Sequence, residues 1–158
     1  RAVLGYMPQQ QVLAEAFTGV QFLWYMAALK GMKRSDAKKR TTELLTLVNL
    51  DDVKNKKIRE YSGGMKQRLL LAQALLNNPR VLIFDEPVKN SNKRRINRMK
   101  AIIDDLKKDR IVIVATENPD IAEAFCDEFL CFEDGHILSL PAEDVRTVLS
   151  GSEETGND

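Results

Sequence analysis

Two adjacent acids, Asp85 and Glu86, close the apolar run Val81-Leu82-Ile83-Phe84 and are followed by Pro87. A short, wholly apolar run reads as a parallel strand buried on both faces. Folds of the α/β class place their ligands at the C-terminal ends of such strands. Neighbouring carboxylates there repel each other unless a cation or a polarised water shares the site. Asp85 and Glu86 are therefore candidates to share a cation or a polarised water. Upstream, Ser62-Gly63-Gly64 opens a helical pattern that runs from Met65 to Leu76. Serine caps a helix start, and paired glycines let the backbone approach a ligand closely. The first free amides and the helix dipole then favour an anion such as phosphate.

These residues need a scaffold to position them. Phe17, Phe22, Leu23, Met26 and Leu29 recur at helical spacing, and Trp24 and Tyr25 widen the stripe, which predicts an amphipathic helix over 18–30 ended by Gly31. Ser35 is a candidate cap for a second helix with Ala37, Leu44, Leu45 and Val48 facing inward. Asn78-Pro79 stops the helix that begins after Ser62. After the strand Val81–Asp85, Ile96, Met99, Ile103 and Leu106 mark another helix, and Ile111–Ala115 reads as a second buried strand. Asn118-Pro119 suits an N-cap with proline at the first helical position. Phe129–Phe132 and His136–Leu140 flank Asp134-Gly135, a hairpin signal. Strands alternating with helices after a mostly helical first part give an α/β layer preceded by a helical module.

The run Tyr61-Ser62-Gly63-Gly64-Met65-Lys66-Gln67-Arg68, then an apolar helix, Asn-Pro and a strand ending in Asp85-Glu86-Pro87, resembles the ATP-binding subunits of ABC transporters in order and spacing. The resemblance covers nearly the whole chain. It implies a partial P-loop NTPase (RecA-like) core carrying a helical signature subdomain. Residues 1–79 would hold the glutamine loop, helical subdomain and signature helix; 80–149 the C-terminal part of the core; 150–158 a flexible tail. By the same resemblance, Ser62, Gly63 and Gly64 would contact the γ-phosphate of ATP held by the opposing subunit of a head-to-tail dimer. Asp85 would hold the Mg²⁺ shell and Glu86 would polarise the attacking water. Gly5-Tyr6-Met7-Pro8-Gln9 resembles the loop whose glutamine senses both, with Gln9 the candidate. The resemblance further implies a homo- or heterodimer, transmembrane permease subunits docked near Phe17, Phe22, Trp24 and Tyr25, and a peripheral place on the cytoplasmic face of the membrane.

Three features depart from the family pattern. No G-x-x-x-x-G-K-[ST] occurs anywhere in the chain, so the amide nest and lysine that hold β- and γ-phosphates are not supplied by it. Asn92 falls where the dimer-contact loop usually has aspartate, within a stretch from Lys89 to Lys100 that has six basic residues and no acidic ones. That stretch reads as a solvated helix face or as an anion-binding or nucleic-acid patch. Glu117 falls where the family has its switch histidine, and a carboxylate near a γ-phosphate is repulsive.

Composition narrows the function classes. At 158 residues, 44% hydrophobic and 30% charged, the chain has the makeup of a globular domain with a real core. A net charge of +1 gives nothing global to attract nucleic acid. Cys126 and Cys131, with His136 the single histidine, are too few for a metal site and read as buried thiols. The apolar stretch from Val12 to Met32 is interrupted by Glu15, Thr18, Gly19, Gln21 and Lys30, too often for a bilayer span. The first residue is Arg1 rather than methionine, which suggests that a segment precedes it. Without a pairing strand beside Ile111–Ala115, the chain alone is expected to associate with itself. The expected function is an ATP-binding and ATP-hydrolysing transporter subunit, inactive as this chain alone. The alternatives are a degenerate pseudo-ATPase that binds a partner without turnover and a soluble family member contacting nucleic acid.

Overall fold

In a computed structural model, residues 3–10, 13–88 and 93–151 are described. The chain runs β1 (Leu4–Met7), α1 (Gly19–Leu29), α2 (Arg34–Leu47), two short 3-10 turns, α3 (Gly63–Ala74), β2 (Val81–Asp85), α4 (Lys93–Leu106), β3 (Ile111–Ala115), α5 (Pro119–Phe125), β4 (Phe129–Glu133), β5 (His136–Leu140) and α6 (Val145–Gly151). Strands β1, β2 and β3 form a parallel sheet in that order, with Leu4, Val81 and Ile111 in one row and Tyr6, Ile83 and Ile113 in another. Strands β4 and β5 pair separately as an antiparallel hairpin. Asp134 and Gly135 both have positive φ, as a two-residue type I′ turn requires.

The helices start and stop where local chemistry satisfies their ends. Thr18 and Gln21 form a reciprocal capping box at α1. At its other end Gly31 takes a φ of 71°, while Met32 N–H donates to the Ala27 carbonyl at 3.0 Å and Gly31 N–H to Ala28 at 2.9 Å. That pair of bonds is a Schellman motif. Ser35 does not cap α2. The cap position belongs to Lys33, without a side-chain bond, and the Ser35 hydroxyl donates to Asp36 Oδ1 instead. The helical module packs α1 against α2 and α3 through Phe22, Leu23, Leu44, Leu45 and Leu69, all buried. Leu29, placed on the inward stripe by periodicity, is exposed because α1 ends there.

The sheet departs most from the sequence expectation. On one face Gly5, Met7, Leu82 and Phe84 are buried, and α3 packs on β1. On the other, Leu4, Tyr6, Ile111 and Ile113 are exposed, with Ile111 at 63%. Strands β2 and β3 are thus not buried on both faces: among the described residues no layer covers the second face, although parallel sheets are normally covered on both. β3 is also an edge strand. An apolar face and an open edge together favour association. The chain alone is therefore expected to sediment as concentration-dependent oligomers, and Ile113→Lys, which puts a charge on the open face, to shift it toward monomer. A parent chain that is already a monodisperse monomer with cooperative unfolding would contradict this.

Both cysteines are free and half-buried, Cys126 just after α5 and Cys131 in β4. Burial pushes the Cys126 thiol up.

Candidate functional site

The three parallel strands end on one edge of the sheet, where they bring together Tyr6, Asp85, Glu86, Thr116 and Glu117. The register sets Asp85 beside Ala115, so the next residues on each strand, Glu86 and Thr116, are neighbours. Glu86 N–H extends the ladder by donating to the Ala115 carbonyl at 2.9 Å. Its own φ is 45°, a left-handed conformation that costs a non-glycine residue on the order of 1 kcal/mol or more and concentrates at functional positions. That backbone turn aims the side chain across to β3. Thr116 Oγ1 donates to Glu86 Oε2 at 3.0 Å, and the Glu117 backbone N–H donates to Oε1 at 2.7 Å. Asn118 N–H in turn donates to Thr116 Oγ1 at 3.1 Å. Both oxygens of Glu86 are thereby oriented, while the carboxylate is only half-buried.

Asp85 accepts a hydrogen bond from Tyr6 Oη at 3.1 Å, and that carboxylate pushes the Tyr6 phenol up. Gln9 lies two residues beyond Met7, exposed, and makes no hydrogen bond among the described residues. It follows the C-terminal end of β1, the strand beside β2 in the sheet. Glu117 meets Glu86 through its backbone, and its side chain is exposed. Asn92 lies outside the described residues. Among those described, no group of three or more His, Cys, Asp or Glu is placed to hold a metal ion.

Ser62, Gly63 and Gly64 sit at the start of α3. Ser62 Oγ accepts from Met65 N–H at 3.3 Å, so the serine is the cap its sequence context predicts. A Cβ added at Gly63 would meet nothing within 4 Å, and one at Gly64 only Arg95 Nε at 4.0 Å. Packing among the described residues therefore does not demand either glycine. Tyr61, just before, is buried, and burial pushes its phenol up. Its hydroxyl occupies the place a side chain on Gly19 would need and donates to the Val53 carbonyl at 2.9 Å. The Ser62–Gly64 turn is thus pinned to the end of the helical module. A cavity of about 390 Å³ opens between α3 and α4, lined by Ser62, Gly64, Arg68 and Val88 among others. No hydrogen bond among the described residues joins Ser62–Gly64 to Asp85 or Glu86.

Two participants escaped the sequence reading. Neither Thr116 nor Tyr6 takes a role from type or spacing, Tyr6 even inside the run Gly5–Gln9; only the strand register brings them to the two acids. Had the pairing of Val81–Asp85 with Ile111–Ala115 been taken in register, Thr116 would have fallen beside Glu86.

A family model described as ABC transporter matches residues 1–89. Among curated relatives, the chain is 36% identical over 137 residues to an ABC transporter ATP-binding protein, YxlF, of Bacillus subtilis, covering 87% of this chain and 46% of that protein. It is 31% identical over 142 residues to the lipoprotein-releasing system ATP-binding protein LolD of Nitrobacter hamburgensis, covering 89% of this chain and 61% of that one. Against ABC transporter A family member 3 of Arabidopsis thaliana the identity is 34%, with 87% of this chain and 15% of the relative covered. The chain thus spans less than two thirds of the length of each of these relatives. A solved ABC transporter in an inward-facing conformation superposes with a TM-score of 0.79 at 18% identity, covering 94% of this chain and 64% of that one. That superposition bears on the fold, which is that of a partial P-loop NTPase core with a helical subdomain.

Proposed function

The chain belongs to the ABC transporter family, and from that premise we propose that it is the part of an ATP-binding subunit that supplies the water-activating acid to one nucleotide and the signature contact to another. The observation that carries this reading is Glu86, held at the sheet edge with both carboxylate oxygens oriented by Thr116 and the Glu117 amide. In that role Glu86 takes a proton from, or polarises, the water that attacks the γ-phosphate. Thr116 and the Glu117 amide hold it in line, and they also temper its basicity by stabilising its charged form.

Mg²⁺ is usually bound by one or two carboxylates plus substrate phosphates rather than by an all-protein cage. A strand-end acid, Asp85, with no metal-holding acidic cluster among the described residues, fits that habit; Gln9, just past the end of β1, would complete the shell. The ion would neutralise charge between the phosphates. Tyr6, by donating to Asp85, fixes the rotamer of the ligand carboxylate. The open amides of Gly63 and Gly64 at the dipole-positive end of α3 would meet the γ-phosphate of a nucleotide held by the second subunit. Mixing two inactive variants of the chain, one altered at Gly63 and one at Glu86, tests this head-to-tail arrangement.

Trp24 and Tyr25 are exposed on α1, with Phe17 packed edge-on to Tyr25 at 5.9 Å between centroids. That aromatic surface suits a short helix from a transmembrane permease subunit, and in this reading the protein works as a peripheral subunit on the cytoplasmic face of the membrane. Among the described residues no helix is long and apolar enough to cross a membrane.

A second reading, a degenerate partner-binding member without turnover, is favoured by Asn92 and by Glu117. Supplying the chain with a P-loop segment separates the two, since the degenerate reading gives no hydrolysis even then.

A further inference from the structure

Helices α2 and α3 cap each other through two arginines. From α2, Arg40 Nη2 donates at 3.0 Å to the Leu75 carbonyl, where α3 ends. From α3, Arg68 Nη1 donates at 2.7 Å each to the Val48 and Asn49 carbonyls, where α2 ends. A helix end leaves carbonyls without intrahelical partners and carries partial negative charge, so a neighbour's guanidinium suits it twice over. The two ties differ in what else they reach. Arg40 holds the far end of α3, whereas Arg68 Nε also donates to the Gly64 carbonyl in its first turn at 3.3 Å. Arg68 is half-buried, and burial, with Arg98 nearby, pushes its guanidinium down. The charge is thus held at this place against a desolvation cost, where an apolar side chain would pack without one. On the other flank of the Ser62–Gly64 turn, the Tyr61 hydroxyl is tied to Val53, so the turn is gripped from both sides.

We propose that Arg68 is a positioning residue for the Ser62–Gly64 contact. By bonding the end of α2 and the first turn of α3 at once, it fixes where the Gly63 and Gly64 amides stand against the second subunit's nucleotide. This rests on the head-to-tail reading above. Its effect therefore belongs to the opposing nucleotide, and not to the one that Glu86 of the same chain serves. A displacement of about 1 Å can cost about a hundredfold in rate, so the loss falls on kcat. Arg40 makes the matching tie at the far end of α3, which separates a positioning role from a contribution to stability alone.

The test uses the chain supplied with a P-loop segment, as Arg68→Met and Arg40→Met. Both variants should melt below the parent, since each leaves a helix end without its partner. Only Arg68→Met is expected to lower kcat per folded protein, by about tenfold or more, with KM for ATP unchanged. Mixed with Glu86→Gln, Arg68→Met should recover about a quarter of the parental rate, because half the dimers then hold one intact site. Mixed with Gly63→Asp it should recover nothing, since both lesions sit on the same side of each site. Where Arg68→Met fails to melt cooperatively, Arg68→Gln, which keeps a donor near the end of α2, takes its place. A folded Arg68 variant with kcat within about twofold of the parent would overturn the assignment. So would an equal kcat loss in Arg40→Met, recovery with Gly63→Asp, or no recovery with Glu86→Gln. If Gly63→Asp and Glu86→Gln do not complement each other, the head-to-tail reading falls and takes this role with it. If they do, any of the other failures removes Arg68 alone.

Discussion

Replacing Glu86 by glutamine is expected to lower ATP turnover by about a hundred- to ten-thousandfold when the chain is supplied with a P-loop segment, with little change in affinity for ATP. The loss corresponds to about 3–5 kcal/mol of transition-state stabilisation. Glutamine keeps the size of the side chain but cannot take the proton of the attacking water. It also turns one oxygen into a donor. Because Glu86 Oε2 and Oε1 accept from Thr116 Oγ1 and the Glu117 amide, a glutamine can keep its oxygen on that amide and donate its NH2 to the Thr116 hydroxyl, which also accepts, so the side chain stays in place without its basic oxygen. Thr116→Val isolates the orienting part. It removes the hydrogen bond to the Glu86 carboxylate, worth about 1.5–3 kcal/mol, along with the one Thr116 accepts from Asn118 N–H, and is expected to lower kcat about tenfold or more with KM unchanged; Thr116→Ser should restore it. Turnover in Glu86→Gln within about twofold of the parent would remove Glu86 from the chemistry, because general-base contributions start near a hundredfold.

The largest effect on stability is expected at Gly5, in the middle of β1. A Cβ there would lie 2.5 Å from the Ala74 carbonyl oxygen, 2.7 Å from Pro79 Cγ and 2.8 Å from Leu82 Cδ2. The first of these is backbone at the end of α3, and the second is a ring on the turn into β2, so neither can swing aside. Gly5→Ala must separate α3 from the sheet, a form of overpacking that costs about 1–3 kcal/mol and occasionally more. For a chain of this size that is a fall in Tm of very roughly 3–10 °C. Gly63→Ala is the internal comparison. No described residue lies within 4 Å of its added methyl, and alanine is the better helix former by up to about 1 kcal/mol, so this variant should melt no lower than the parent. Circular-dichroism melts of the two variants side by side read the difference. A Gly5→Ala chain as stable as Gly63→Ala would mean that α3 does not close on β1 in this way.

Gly5 also explains what was legible in the sequence and what was not. Apolar runs bounded by turn residues located β2, α4 and the hairpin β4–β5, because each signal was local: an apolar five-residue run, a four-residue rhythm, an Asp-Gly pair. β1 was missed since it has only four residues and a glycine in its middle, and glycine weakens a strand pattern. The reason for that glycine is contact with α3 and with the turn at Pro79, which no local pattern displays. The exposed face of the sheet was hidden for a related reason. Val81–Asp85 and Ile111–Ala115 are apolar at every position up to their ends, so composition cannot say which face a second layer will cover. At Ser35 a good capping residue lay one step inside α2, after the chain had already turned at Gly31 and packed Met32 half-buried against the core. At the site, Asp85, Glu86 and Ser62–Gly64 stood out by type and spacing. Thr116 and Tyr6 did not, because their parts depend on which strand lies beside which.

The most direct test of the head-to-tail account uses the chain supplied with a P-loop segment in two variants, Gly63→Asp and Glu86→Gln, assayed for ATP hydrolysis separately and mixed. Gly63→Asp is tolerated by packing among the described residues and by the helix dipole, yet it sets a negative charge against a phosphate. Each variant alone should be inactive. In a symmetric head-to-tail pair, random mixing should restore about a quarter of the parental rate, since half the dimers are mixed and each of those has one site with both residues intact. No recovery on mixing, with both proteins folded and dimeric, would contradict the account, because it would place Ser62–Gly64 and Glu86 on the same nucleotide or on none.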